Sequence, residues 1–423
     1  MTVTSPHSSL QGVSSRYAWT VFALIVALML SDYMTRSVIN SVLPDLKQEW
    51  ALDDSQLGLL VSIVPLIVGI AAWPVALLAD RWGYVKSITA MASIWCVATI
   101  LCGLAQNHSQ MLMARAAVGL GEAGYGAVGA AVLSSVFPAA RMSAVLGAFR
   151  AAAVFGTVLG VVVGGVIGAR HGWQAPFLWV GGASLLLVAF FPLLVRETPR
   201  SAVGAAASTH ASLRVAVHEV LATRSARFLY VAGGLQMLIL AVIGAWMPTF
   251  LAREYGLAAD QAGTRAGLLI LMAAIGMIAG GALADRAGRA QGRTKLHFAG
   301  AYTLASFIVL TTAFALPAGP LQMVLLFVGT LLAGGHAGVA VSAVADVTHP
   351  GLRATAIATV ALFNNLLGLA PGPYVVGVLS DSIGLKAALT IVPVAGLFAS
   401  ACFMLAAGSY ARDVAARAAR LDR

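Results

Sequence analysis

The sequence predicts an all-α membrane protein with twelve transmembrane helices in two pseudo-symmetric six-helix bundles. Three observations lead there. Of 423 residues, 60% are hydrophobic and 10% charged, whereas a soluble domain carries about 25% charged residues. Twelve apolar runs are long enough to cross a hydrocarbon core about 30 Å thick, which takes roughly 20 helical residues. One short polar loop is written twice, once in each half of the chain.

The first run, residues 17–39, is too long for the apolar part of a secretory signal and no small-residue cleavage site follows it, so it reads as a retained span. Five more runs, 57–79, 86–105, 110–136, 142–169 and 173–195, complete a first bundle over residues 17–195, behind a tail of residues 1–16. Residues 196–226 form a polar linker with an amphipathic piece around Ser212 to Thr223. A second bundle, 227–409, holds runs at 227–251, 262–284, 296–316, 320–345, 354–379 and 387–409, followed by a tail of 410–423. The formal charge of +10 raises nucleic acid as a partner, but the basic residues make no folded patch. Eighteen of the 26 fall on one side of the twelve spans and five on the other, while Arg36, Arg115 and Arg150 lie inside spans. The positive-inside rule then puts both termini in the cytoplasm. Cys96, Cys102 and Cys402 sit inside apolar runs without metal-ligand spacing, so neither disulfide nor structural zinc is expected.

The repeated loop reads Ala76-Leu-Leu-Ala-Asp80-Arg81-Trp-Gly83 after span two and Gly281-Ala-Leu-Ala-Asp285-Arg286-Ala-Gly288-Arg289 after span eight, 205 residues later. Two copies at matching positions mark a duplicated six-helix unit, as parallel-repeat transporters use. Both resemble the Gly-x-x-x-Asp-Arg-x-Gly signature of the major facilitator superfamily, with Ala76 in place of the leading glycine and Tyr84 where a basic residue is usual. The resemblance covers about residues 16 to 410. It implies alternating access, a substrate site near the midplane between the halves, a functional monomer and a bacterial inner membrane. It also assigns Asp80, Arg81, Asp285 and Arg286 to an inner gate, with Arg141 and Arg353 counted in the same inner loops.

Within the superfamily, Arg115-x-x-x-Gly119-x-Gly121-Glu122-Ala123, Trp95 and Asp32-Tyr-Met-Thr-Arg36 are similar to segments of Spinster proteins. Here Thr35 stands at the usual Asp position and the acid sits at 32. Gly244-Ala-Trp246-Met-Pro248-Thr-Phe250 and His171-Gly-Trp173 resemble anion:cation symporters instead. The glycine-rich run Gly156 to Gly165 looks like the antiporter motif with Val161 replacing its proline, and its small residues indicate close helix packing.

An ionised side chain at the bilayer centre costs roughly 2.5–3.5 kcal/mol on insertion scales, so five of them cannot all face lipid. At about 1.5 Å per residue, Asp32 and Arg115 come out about 24 and 22 Å from the cytoplasmic side, and Glu122 and Arg150 about 12 and 13 Å. That gives acid–base pairs at two depths. Asp32 and Arg36 share a helical face, as do Arg115 and Glu122. The functional reading makes Asp32 and Glu122 proton-coupling residues, with Arg36, Arg115, Tyr125 and Arg150 binding substrate, joined from the second half by His336, Asn364 and Asn365. The alternative reading is that the charges are structural ion pairs.

Gly119-Leu-Gly121-Glu-Ala-Gly124 spells a dinucleotide fingerprint but follows no strand, and no phosphate-binding loop or hydrolase motif is present. No cofactor is expected, and an enzyme is the rival class. The expectation is a secondary transporter, proton-coupled, whose arginines suit a small organic anion. Its partners are then substrate, protons and the lipid bilayer. The alternatives are a Spinster-like transporter of lysophospholipid or another amphipathic lipid, and a membrane receptor without transport.

Overall fold

A computed structural model describes residues 15–196, 221, 223–288, 292–349 and 352–421. Most of the expected linker, nearly all of the piece at Ser212 to Thr223, and Arg289 of the second loop lie outside the described residues. Twelve helices are long and apolar enough to cross a membrane: Ser15–Trp50, Asp54–Ala76, Tyr84–Gly103, His108–Val136, Ala144–His171 and Gln174–Leu194, then Arg224–Tyr255, Ala259–Gly288, Thr294–Ala315, Pro320–Val347, Thr355–Ile383 and Leu385–Arg417. They are spans one to twelve below. We call the end where span one starts and span twelve finishes the terminal end, and the opposite one the distal end.

The packing order repeats with a shift of six. Span one lies on five and six, three on four and six, and two on four; in the same way seven lies on eleven and twelve, nine on ten and twelve, and eight on ten. Two long interfaces join the halves, span two on eleven and span five on eight. These are each other's counterparts under the same shift, so the two bundles are related by pseudo-symmetry.

Among the described residues five spans are interrupted, span twelve briefly, between Leu385–Ile391 and Val394–Leu421. Span one breaks after Ser37 and resumes as Ile39–Trp50, eleven residues beyond its expected end, because Ile39, Val42, Leu43 and Leu46 bury one face of the continuation. Span four is His108–Glu122 followed by Tyr125–Val136, and span ten is Pro320–Gly334 followed by Ala337–Val347. Span eleven carries a π-helical segment, Asn364–Leu369, ended by Pro371 at the start of the next helix.

The halves meet at the distal end and part toward the terminal end. Gly165 of span five and Gly263 of span eight face each other so closely that a Cβ on Gly165 would come 2.6 Å from the Ala259 carbonyl oxygen. Gly147 and Gly281 lie on the same faces of the same two helices, each 18 residues nearer the terminal end, which is about five turns. A Cβ on either would meet nothing within 4 Å. Asn40 adds a distal bond across the halves, donating to the Gly244 carbonyl at 3.1 Å.

Candidate functional site

Helix ends leave carbonyls without intrahelical partners, and the site is built on such an end. The break after Ser37 frees carbonyls of the last turn of span one, and Arg115 of span four fills them. Its Nη1 and Nη2 donate to the Thr35 and Arg36 carbonyls at 3.5 and 3.1 Å, and its Nε to Leu60 of span two at 3.1 Å. A cation at a helix C-terminus also matches the helix dipole. The guanidinium is buried and ties spans one, two and four together.

Span four reaches this position because Gly119 and Gly121 let it press between its neighbours. A Cβ on Gly121 would come 2.5 Å from the Trp95 backbone nitrogen, and one on Gly119 2.8 Å from the Val64 carbonyl oxygen. The chain then turns at Gly124, whose φ of 87° suits glycine. Beyond the turn, Tyr125 is fully buried; its hydroxyl donates to the Ile25 carbonyl at 2.7 Å and its ring meets Trp95 edge-on.

At the turn, Glu122 accepts from Arg36 Nε at 2.9 Å and Nη2 at 2.6 Å, both on one oxygen. The Glu122 side chain is wholly buried, whereas 18% of the Arg36 side chain is exposed. The Tyr33 ring lies 4.9 Å from the Arg36 guanidinium carbon. The Asp32 carboxyl lies within hydrogen-bonding reach of Glu122, and Asp32 Oδ1 and Glu122 Oε1 are both buried without a hydrogen-bond partner among the described residues. Arg150, on span five, is exposed.

The expected pairing at two depths is corrected by this geometry. Asp32, Arg36 and Glu122 form one cluster, and Arg115 bonds to main-chain carbonyls. The depth count failed because it ran along a straight span from its distal edge. Span four has 29 residues and a break; counted from Val136, Glu122 is about 21 Å from the terminal end, level with Asp32.

In the second half, His336 sits at the break of span ten, buried, with Nδ1 2.9 Å from the Ala333 carbonyl oxygen. The same carbonyl accepts from Gln236 of span seven at 3.2 Å. Asn364 and Asn365 open the π-helical segment; Asn365 donates to the Ala361 carbonyl at 2.9 Å. Among the described residues, the Oδ1 atoms of both asparagines and Oε1 of Gln236 have no hydrogen-bond partner. The first half therefore holds the charges and the second an array of neutral acceptors. Of the inner-gate residues, Arg81, Arg141, Asp285, Arg286 and Arg353 are exposed near the terminal end, and Arg353 donates to the Ala345 carbonyl at 3.2 Å. The side chain of Asp80 lies outside the described residues.

Sequence reasoning missed Tyr33 and Gln236. Tyr33 stood inside a quoted motif, and Gln236 is the one amide in a long apolar run.

Twelve spans, a six-span repeat and a polar cluster at the junction of spans one and four describe a transporter architecture, and comparison with known proteins decides which. The sequence model of the Major Facilitator Superfamily matches residues 25–373. The chain belongs to the major facilitator superfamily. It is thus a multi-pass membrane transporter rather than an enzyme. It is 26% identical over 415 residues to an "MFS-type efflux pump" of Mycolicibacterium smegmatis, covering 94% of this chain and 95% of that one. It is 25% identical over 396 residues to "Protein spinster homolog 1" of Xenopus tropicalis (88% and 75%), and 27% identical over 440 residues to a "Gallate transporter" of Pseudomonas putida (93% and 92%). Among solved structures, a bacterial homolog of the human lysosomal transporter Spinster, inward-facing and occupied, superposes with a TM-score of 0.85 at 19% identity, over 95% of this chain and 99% of that one. That likeness is one of fold.

Proposed function

We propose that this major facilitator protein moves a small organic anion coupled to protons, with the terminal end facing the cytoplasm of a bacterial inner membrane. The observation that carries the reading is the cluster of Asp32, Glu122 and Arg36. Two ionised carboxylates against one guanidinium would leave a negative charge in a buried site, which is costly without a further partner. One proton placed between the two unpartnered oxygens neutralises the cluster and loosens Glu122 from Arg36. Part of the Arg36 side chain, 18%, is exposed, so in this reading the freed guanidinium binds the substrate anion with paired hydrogen bonds. Arg150 and Tyr33 line the approach.

In this reading Arg115 and Tyr125 hold span one in place and do not touch substrate, because their polar atoms are committed to main-chain carbonyls. Asn364, Asn365 and His336 serve the body of the substrate from the opposite half. The gallate-transporter likeness supports an organic acid. The spinster likeness supports a second reading, an amphipathic lipid such as a lysophospholipid carried through the same gap.

The test is proton movement in proteoliposomes loaded with a pH dye and challenged with hydroxybenzoates, sugar acids and lysophosphatidylcholine. One class of substrate should drive a pH change that Glu122→Gln or Asp32→Asn abolishes. Transport without proton movement, or wild-type behaviour in both variants, would overturn the coupling. A response to lysolipid alone would select the second reading.

A further inference from the structure

The distal end carries a second cluster of charge that the coupling mechanism does not use. Asp54, the first residue of span two, is almost fully buried; only 4% of its side chain is exposed. Arg253, at the distal end of span seven in the other half, grips it with both nitrogens, Nη1 to Oδ2 and Nη2 to Oδ1, each at 2.7 Å. Lys47, from the continuation of span one in the same half as Asp54, donates to Oδ1 at 2.6 Å. Ser380 of span eleven donates to Oδ2. The contact is returned: Asp381, next along span eleven, accepts from the backbone nitrogens of Asp54 and Ser55 at 2.7 and 2.9 Å, and so caps the start of span two from the opposite half. Backbone packing continues inward from there, for a Cβ on Gly377 would collide with Asp54 and one on Gly58 with the backbone at Pro373.

We propose that Asp54 is the latch residue of the distal gate, and that Arg253 and Lys47 act on the gate with opposite sign. Alternating access requires spans two and eleven to separate at this end. Separation breaks the bonds from Arg253, Ser380 and Asp381, which cross between the halves. The bond from Lys47 does not cross, so it survives opening and keeps the Asp54 charge paired while water replaces the other donors. Arg253 therefore favours the closed distal gate, whereas Lys47 lowers the cost of the open one. Removing Arg253 opens the gate. Removing Lys47 leaves Asp54 dependent on Arg253 and tightens it. The position suits such a device: Lys47 and Arg253 are each about one-third exposed, at 37% and 32% of their side chains, so water is at hand to exchange with the protein donors.

The test measures distance between the halves at this end, with spin labels on Gln106→Cys and Ala318→Cys in a Cys402→Ala background. Gln106 and Ala318 are exposed, in distal loops of the first and second half. Arg253→Gln should raise the ratio of distal-open to distal-closed protein by about tenfold or more, the scale of a lost hydrogen bond to a charged group, and Asp54→Asn should shift it the same way. Lys47→Gln should lower the ratio, and Arg253→Lys should fall between wild type and Arg253→Gln. Unchanged distances in Arg253→Gln, or a shift of Lys47→Gln in the same direction as Arg253→Gln, would overturn the proposal. Should Asp54→Asn fail to fold, the Arg253 and Lys47 pair decides alone. Neither substrate nor proton enters this measurement, so failure of the coupling scheme at Glu122 would leave the result readable, and the reverse also holds.

Discussion

Spans four and ten are counterparts under the six-span repeat, and both are broken near their middle, yet the two breaks hold different chemistry. At the first, Glu122 is bound by Arg36 of span one and stands beside Asp32. At the second, His336 bonds within its own turn, to Ala333. Small residues serve both breaks: Gly121 admits the backbone of span three, and Gly334 and Gly335 admit that of span eight. Duplication thus reproduced the backbone device, while carboxylates and a guanidinium meet at the first break and a histidine stands at the second. Such asymmetry suits a division of labour in which the first half couples and the second half selects.

The largest effect that could break this comparison is on transport itself. Glu122→Gln should cut proton-driven uptake by about 100-fold, since the nearly isosteric amide mimics the protonated acid and can neither take up nor give back the coupling proton, an effect of about 2.7 kcal/mol on the transition state. His336→Gln should leave uptake within about threefold of wild type, because an amide there can still meet the Ala333 carbonyl. Initial rates in the same vesicles compare the two directly. Equal losses would mean that the second half titrates as well, and the division would fail.

The twelve spans were legible because hydropathy reports burial in lipid directly, and the six-span repeat because Asp80-Arg81 and Asp285-Arg286 are written alike. The breaks were not legible. Ala123-Gly124 and Gly335-His336 sit in runs whose composition reads as continuous span, and the break after Ser37 has no proline to mark it. Since depth had to be counted along straight helices, Glu122 was placed too near one membrane face and its true partner, Arg36, was missed. The partners of Arg115 are main-chain carbonyls, which no residue type announces. Nothing in the sequence joins Asp54, Arg253 and Asp381, because the contacts between them span 199 and 327 residues.

A smaller effect separates the halves by stability. Arg115→Met keeps the volume but leaves the carbonyls of Leu60, Thr35 and Arg36 without their donor, and should cost about 3 kcal/mol. Gln236→Met removes one donor from Ala333, whose carbonyl keeps His336, and should cost about 1 kcal/mol. Unfolding in detergent, followed by tryptophan fluorescence, gives the order. If Gln236→Met proves the more damaging, the second half is held by its polar cluster as firmly as the first, and the contrast drawn between them is only one of charge.

The smallest effect concerns the one position at which the two loop copies differ in backbone freedom. The first copy has Ala76 where the second has Gly281. A Cβ on Gly281 meets open space, and alanine is favoured over glycine inside a helix by roughly 0.5–1 kcal/mol. Gly281→Ala should therefore leave the unfolding midpoint unchanged or slightly raised. Gly165→Ala, on the same pair of helices at the distal end, should lower it, because the new methyl would press on the Ala259 carbonyl. A marked loss of stability in Gly281→Ala would mean that spans five and eight also touch near the terminal end in the resting protein. The parting of the halves on which access to Arg36 depends would then belong to another state. If stability holds but uptake slows, the added methyl is met only when the terminal end closes, and Gly281 is small because the opposite state of the cycle brings that face against span five.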